Sequence, residues 1–280
     1  MRFKIRHLTH YTFSAPVALE PHDLRLNPRL DGAHRCLAHE LLVTPAPGMR
    51  TEMLDEEGNH VTRVWFHEPV EELRIEAKLS VQTLRVNSFD FVLDANAERI
   101  FDASRGPQSA LLAPYRLRTG GSDAVQRLAR DIAAGVDDRT IPFLTALAER
   151  LRRTVRYELR ESGYPFTPEE CLARGSGSCR DQAVLFVDAC RALGLAARFV
   201  SGYHPVPEPG PYYLHAWAEV FLPGGGWRGF DPTGGLAVAD RHVPLAAARY
   251  PSGAAPVTGS LRGDAVQTEL KTELDWTTEP

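Results

Sequence analysis

Three positions in this chain carry the residue types of nucleophilic acyl transfer, in the order thiol, imidazole, carboxylate. Cys179 follows a glycine-rich stretch, Gly175-Ser176-Gly177-Ser178, and opens a helical pattern. His215 lies in Leu214-His215-Ala216-Trp217-Ala218-Glu219, and Asp231 lies in Gly229-Phe230-Asp231-Pro232-Thr233. A cysteine activated by a histidine, itself oriented by a carboxylate, forms a covalent acyl-enzyme and splits one hard step into two easier ones.

Each of these residues has a blander reading. Free cysteine is among the most buried residue types, so core filling is the default for any one of them. Cys190 fits that default on the apolar face of its helix, and Cys36 and Cys171 have no special neighbours. Cys179 differs in placement. Two glycines permit a tight turn before it, and at a helix N-terminus the free N–H groups and the dipole favour a thiolate. Arg180 adds positive charge, and the N–H of Cys179 itself is placed to donate to an oxyanion. His215 falls on a strand, 213–222, whose even positions are all aliphatic and define a core face. It projects from the other face with Trp217, toward what would be a cleft wall. Asp231 precedes Pro232, which biases it to an extended backbone; the common alternative is an Asp-Pro turn. Asp181, an acid in the first helical turn, needs no role beyond complementing the dipole. Tyr203, Trp217 and Trp227 are candidates to line a substrate groove, with plain packing as their alternative.

The elements around these residues are legible from periodicity. Leu73 to Gln82 alternates apolar and polar without a break, the signature of a half-buried strand. Phe3 to Phe13 and Leu37 to Val43 alternate less cleanly, and Asp55-Glu56-Glu57-Gly58-Asn59 reads as a turn into a strand over 60–67. After Gly120 the period changes. Ser122 is placed to cap a helix over 123–134, and Leu144, Leu147, Leu151 and Val155 recur at helical spacing behind Pro142. A third helix runs from Cys179 to Leu193 and stops at Gly194. Strands follow over 196–203, 213–222 and 227–231, and Val266 to Trp276 alternates as a closing strand. This order predicts an all-β domain over 1–108 and an α+β domain over 109–280.

Composition narrows the function classes. The net charge of −4 and the absence of a Lys/Arg run argue against nucleic acid as a partner. No apolar segment reaches the ~18 residues of a membrane span, and the charged start, Met1-Arg2-Phe3-Lys4, lacks a signal peptide's apolar stretch. A cytoplasmic location is therefore expected. Four cysteines without a C-x-x-C pair make no disulfide scaffold, and ten scattered histidines show no zinc spacing, so neither metal nor cofactor is expected.

Several motifs, in order, resemble the bacterial transglutaminase-like superfamily. They are Gly177-Ser178-Cys179-Arg180-Asp181, Arg191-Ala192-Leu193-Gly194-Leu195-Ala196-Ala197-Arg198, Ser201-Gly202-Tyr203, His215-Ala216-Trp217-Ala218-Glu219 and Gly226-Trp227-Arg228-Gly229-Phe230-Asp231-Pro232-Thr233. They span Leu151 to about Pro256, and the first hundred residues resemble the β-rich region that precedes this core in many bacterial members. The resemblance implies a papain-like α+β core with a Cys-His-Asp triad at Cys179, His215 and Asp231. It further implies a thioester formed from a peptide or amide substrate, with hydrolysis favoured. Glutamine–lysine cross-linking and a non-enzymatic peptide-binding module are the alternatives.

Overall fold

The computed structural model describes residues 1–100, 109–118, 120–121, 123–160, 163–205, 213–263 and 266–279. Six strands open the chain: β1 (Arg2–Leu19), β2 (His22–Leu24), β3 (His34–Thr44), β4 (Met49–Leu54), β5 (His60–Trp65) and β6 (Val70–Thr83). The unbroken alternation in β6 places Leu73, Ile75, Ala77, Leu79 and Val81 on one buried face. β1 pairs with it antiparallel and buries Phe3, Ile5, His7 and Thr9 on the same side. The predicted turn at 55–59 joins β4 to β5. Asp55 closes it by accepting the N–H groups of Glu57 and Asn59, and Gly58 takes φ +73°.

Helices follow: α1 (Ser109–Arg116), α2 (Asp123–Ala134) and α3 (Thr140–Thr154), then strand β7 (Arg156–Tyr157). Ser122, the expected cap of α2, lies outside the described residues. The four helical-period residues of 144–155 are all buried, as their spacing requires. Next come α4 (Pro168–Arg174), β8 (Ser176–Gly177) and α5 (Cys179–Ala192). Leu193 caps α5, and Gly194 at φ +81° turns the chain away from it. The chain then builds an antiparallel sheet from β9 (Ala197–Tyr203), β10 (Leu214–Leu222), β11 (Gly226–Asp231), β12 (Leu236–Ala237) and β13 (Val243–Ala248), in the order β12-β11-β10-β9-β13. α5 lies against this sheet. Ala218, Val220 and Leu222 share a core with Leu185, Phe186 and Ala189, while Ala216 packs with Cys179 and Ala183. This is the expected α+β arrangement, with a β-rich N-terminal region before it.

The last strands do not stay with the second half. β14 (Val257–Thr258) pairs with β2, and β15 (Leu261–Arg262) and β16 (Thr268–Glu279) pair with β1. The expected closing strand of the α+β domain thus completes the N-terminal sheet, and a cut at residue 108 does not separate the sheets. Trp276 covers Phe3 at 4.5 Å between ring centroids, and Arg6 on the outer face meets Glu76, Glu273 and Asp275 across the strands. The core of that sheet also takes in Tyr203, Val243 and Leu245 from the α+β sheet. Among the described residues no helix is long and apolar enough to cross a membrane.

Candidate active site

The loop that delivers Cys179 is fixed before the cysteine is reached. Thr167 caps α4 and exchanges hydrogen bonds with Glu170, and Gly175 ends the helix at φ +61°. β8 then pairs with β7, and Gly177 comes so close to α5 that an added Cβ would lie 2.8 Å from the Cβ of Asp181. Only glycine fits. Cys179 follows two residues later as the first residue of α5, with its thiol at the floor of a cleft.

Asp181 does more than complement a dipole. Its fully buried carboxylate accepts the N–H and hydroxyl of Ser178 at 2.7 Å, the N–H of Phe166 at 2.6 Å and Arg160 at 2.6 Å. Arg180 reaches outward to the carbonyls of Arg160 and Gly163. Together they tie the residues flanking the cleft to the first turn of the helix. Asp181→Ala leaves four donors without this acceptor, and a thermal melt is expected to show a loss of about 3 kcal/mol. A melting temperature within about 1 °C of wild type would show that the loop holds without it.

His215 enters from β10 and Asp231 from the end of β11, and His215 Nε2 donates to Asp231 Oδ2 at 2.8 Å. That leaves Nδ1 for the thiol of Cys179, with which the ring is in hydrogen-bonding contact. The three predicted residues therefore stand in one line although 52 positions of sequence separate the first from the last. Burial works against the imidazolium, but the charge and hydrogen bond of Asp231, with Cys179 behind, outweigh it and lift the His215 pKa to about 10. Burial likewise disfavours the Asp231 carboxylate, yet His215 and His242 hold it well below the usual range. Its Oδ1 accepts the N–H groups of Thr233 and Gly234, completing the turn that Pro232 begins.

His242 is a residue the sequence did not expose. Burial keeps it neutral, and its Nε2–H donates to the same Asp231 Oδ2 at 3.2 Å. Its own backbone carbonyl accepts from His34 of β3, so the N-terminal region braces the carboxylate indirectly. No motif surrounds it in Asp240-Arg241-His242-Val243, and only the fold brings it here.

The cleft above Cys179 has a volume of about 370 Å³, and most of its lining is apolar. Tyr157, Tyr164 and Tyr213 form its α+β side, while Tyr11 of β1 and Leu270 and Leu274 of β16 form the opposite wall. The N-terminal sheet, with β16 paired onto it, thus supplies one wall of the site. Tyr203, Trp217 and Trp227 are not part of it. Tyr203 is fully buried with its hydroxyl on His7, and Trp217 packs on Val200 and Ala247. Trp227 sits between Tyr115 and Phe221, with the Arg198 guanidinium 4.1 Å from its ring. The reason is that the sheet is covered on both faces. Val200, Ala247 and Val238 fill the space around Trp217 on its face of β10, and Asn59 of the β4–β5 turn caps the edge of β13 by bonding both the N–H and the carbonyl of Ala247.

Residues 3–82 match the profile of the bacterial transglutaminase-like N-terminal region, and residues 126–232 match that of the transglutaminase-like superfamily core. The chain belongs to the transglutaminase-like superfamily. Cys179, His215 and Asp231 all fall inside the matched core, and β1 and β6, but for Arg2 and Thr83, inside the matched N-terminal region. An uncharacterised protein of Mycobacterium tuberculosis is 26% identical over 289 residues, covering 98% of this chain and 92% of that protein. One from Mycobacterium leprae is 24% identical over 275 residues and covers 94% of each. A crystal structure of a candidate cysteine protease from Cytophaga hutchinsonii superposes with a TM-score of 0.76 at 21% identity, over 100% of this chain and 92% of that one. The two chains therefore share a fold over nearly their whole lengths. Membership of the superfamily supports cysteine-based catalysis in general terms.

Proposed function

We propose that this protein is a cysteine hydrolase of peptide or amide bonds, with Cys179 as nucleophile, His215 as general base and acid, and Asp231 as the residue that orients it. The observation that carries this reading is the line Cys179–His215–Asp231 at the floor of an apolar cleft. The Cys179 thiolate attacks the substrate carbonyl carbon, and the oxygen gathers negative charge beside the free N–H of Cys179 at the start of α5. The C–N bond then breaks, the His215 imidazolium passes its proton to the departing amine, and a thioester remains on Cys179. Neutral His215 takes a proton from water, the hydroxide adds to the thioester, and the acid leaves as the thiolate re-forms. A cleft of about 370 Å³ with aromatic walls suits an extended peptide segment. The cysteine protease reading of the Cytophaga protein points the same way.

Transamidation differs only in the second acceptor, a lysine amine in place of water. A panel of fluorogenic peptides and amides, run with and without an added primary amine, separates the readings. Acid product that persists at high amine supports hydrolysis, whereas a product ratio that follows the amine supports cross-linking. Silence across the panel from a folded chain, matched by Cys179→Ala, would favour a peptide-binding module.

A further inference from the structure

Three imidazoles converge beside Asp231 from separate parts of the second sheet. His204 follows β9, His215 lies on β10 and His242 precedes β13. One ring nitrogen from each lies within 4.8 Å of the other two. The ring centroids are 4.1 Å apart for His204 and His242, 5.2 Å for His204 and His215, and 6.0 Å for His215 and His242. The triad described above needs only His215, with His242 steadying the carboxylate. His204 has no part in it and makes no hydrogen bond among the described residues.

The electronic state of the cluster also suits a ligand. A carboxylate can only accept, so neutral His242 must use its Nε2–H on Asp231, which leaves the lone pair on Nδ1. That Nδ1 is buried and has no partner among the described residues. An unpartnered buried acceptor is costly, and a metal ion is one way to satisfy it. An ion bonded at about 2.1 Å to three nitrogens needs them roughly 3.4 Å apart. Closing from 4.8 Å asks for a small rotation of partly exposed His204, whose ring no hydrogen bond from the described residues holds. Three imidazoles without a thiolate in the set favour the borderline dications of the first transition row, zinc and copper foremost, over calcium or magnesium.

We propose that His204, His215 and His242 form an inhibitory site for a first-row transition-metal dication such as Zn²⁺. Coordination replaces a ring proton of His215, which is released to solvent, with a metal–nitrogen bond. Cys179 is then left without its base while the ion stays bound, and chelation restores the starting state. The inhibitory consequence rests on the hydrolase reading, whereas metal binding does not.

The test is isothermal titration of Zn²⁺ into the full chain carrying Cys179→Ala, which removes both the thiol as an alternative ligand and any turnover. One zinc per chain is expected, with affinity falling about 10-fold or more on adding His204→Gln or His242→Gln. Thermal melts establish that each variant is folded. In parallel, the zinc concentration that halves the activity of the otherwise wild-type chain should rise by about the same factor with His204→Gln, each chain being referred to its own metal-free rate. Equal zinc affinity with and without His204 would overturn the proposal and place the ion elsewhere. If titration shows the His204-dependent site but no substrate is ever turned over, the hydrolase reading fails and the metal site stands.

Discussion

Cys179→Ala and His215→Ala are each expected to lower turnover of any responsive peptide or amide by roughly 10⁴- to 10⁶-fold. The size follows from the geometry. Nε2 of His215 is committed to Asp231, so Nδ1 is the ring atom that serves the thiol, and nothing else among the described residues is placed to replace it. Cys179→Ala removes only a sulfur, and its melting temperature should stay within a few degrees of wild type. His215→Ala also takes the imidazolium from buried Asp231 and is checked for folding by its own thermal melt. Because nucleophile and base act as a unit, the double variant should be no slower than the worse single one. A double variant markedly slower than both would mean that the two residues contribute separately. Retained activity in Cys179→Ala would remove the cysteine from the chemistry altogether.

Asp231→Asn is expected to cost about 10⁴-fold in turnover while leaving the fold in place. The Asn carbonyl oxygen can keep the Thr233 and Gly234 N–H bonds that Oδ1 now accepts. Its amide then presents N–H where two imidazole Nε2–H groups now donate to Oδ2. Donor meets donor. His215 relieves the conflict by moving its proton to Nδ1, the atom that faces Cys179, and in that tautomer it cannot take a proton from the thiol. The imidazolium also loses the charge that keeps its pKa raised. Rates near wild type in a folded Asp231→Asn chain would require another orienting group.

How far the sequence led depended on whether a signal was local. Cys179 was legible because its surroundings are punctuated: glycines at 175 and 177 and the change to helical period all lie within a few residues of it. The strand carrying His215 and the Asp-Pro step at 231 are equally local signals, and the fold brings all three residues together. Trp217 and Trp227 were misjudged for a physical reason. Alternation separates the two faces of β10, but it carries no information on whether the second face is covered, and here Val200, Ala247 and Val238 pack around Trp217 on that side. The register of β16 against β1 joins residues more than 250 positions apart, and a strand's period does not name its partner. His204, His242 and the Tyr11 wall share that origin, since each enters the site through pairing between distant strands.

The most direct test of the central claim needs no substrate. Cys190 is fully buried and burial holds its thiol pKa well above the usual range; burial raises that of Cys171 to about 12 and also raises that of Cys36. These three should remain thiols near neutral pH, whereas Cys179 opens to the cleft in contact with His215. A short pulse of iodoacetamide near pH 7, followed by peptide mapping, reads all four cysteines at once. Alkylation of Cys179 is expected about 10-fold or more ahead of the other three, and His215→Ala should slow it by removing the cationic partner. Labelling that falls equally on Cys36, or a Cys179 rate indifferent to His215, would contradict the thiolate–imidazolium pair on which the account rests.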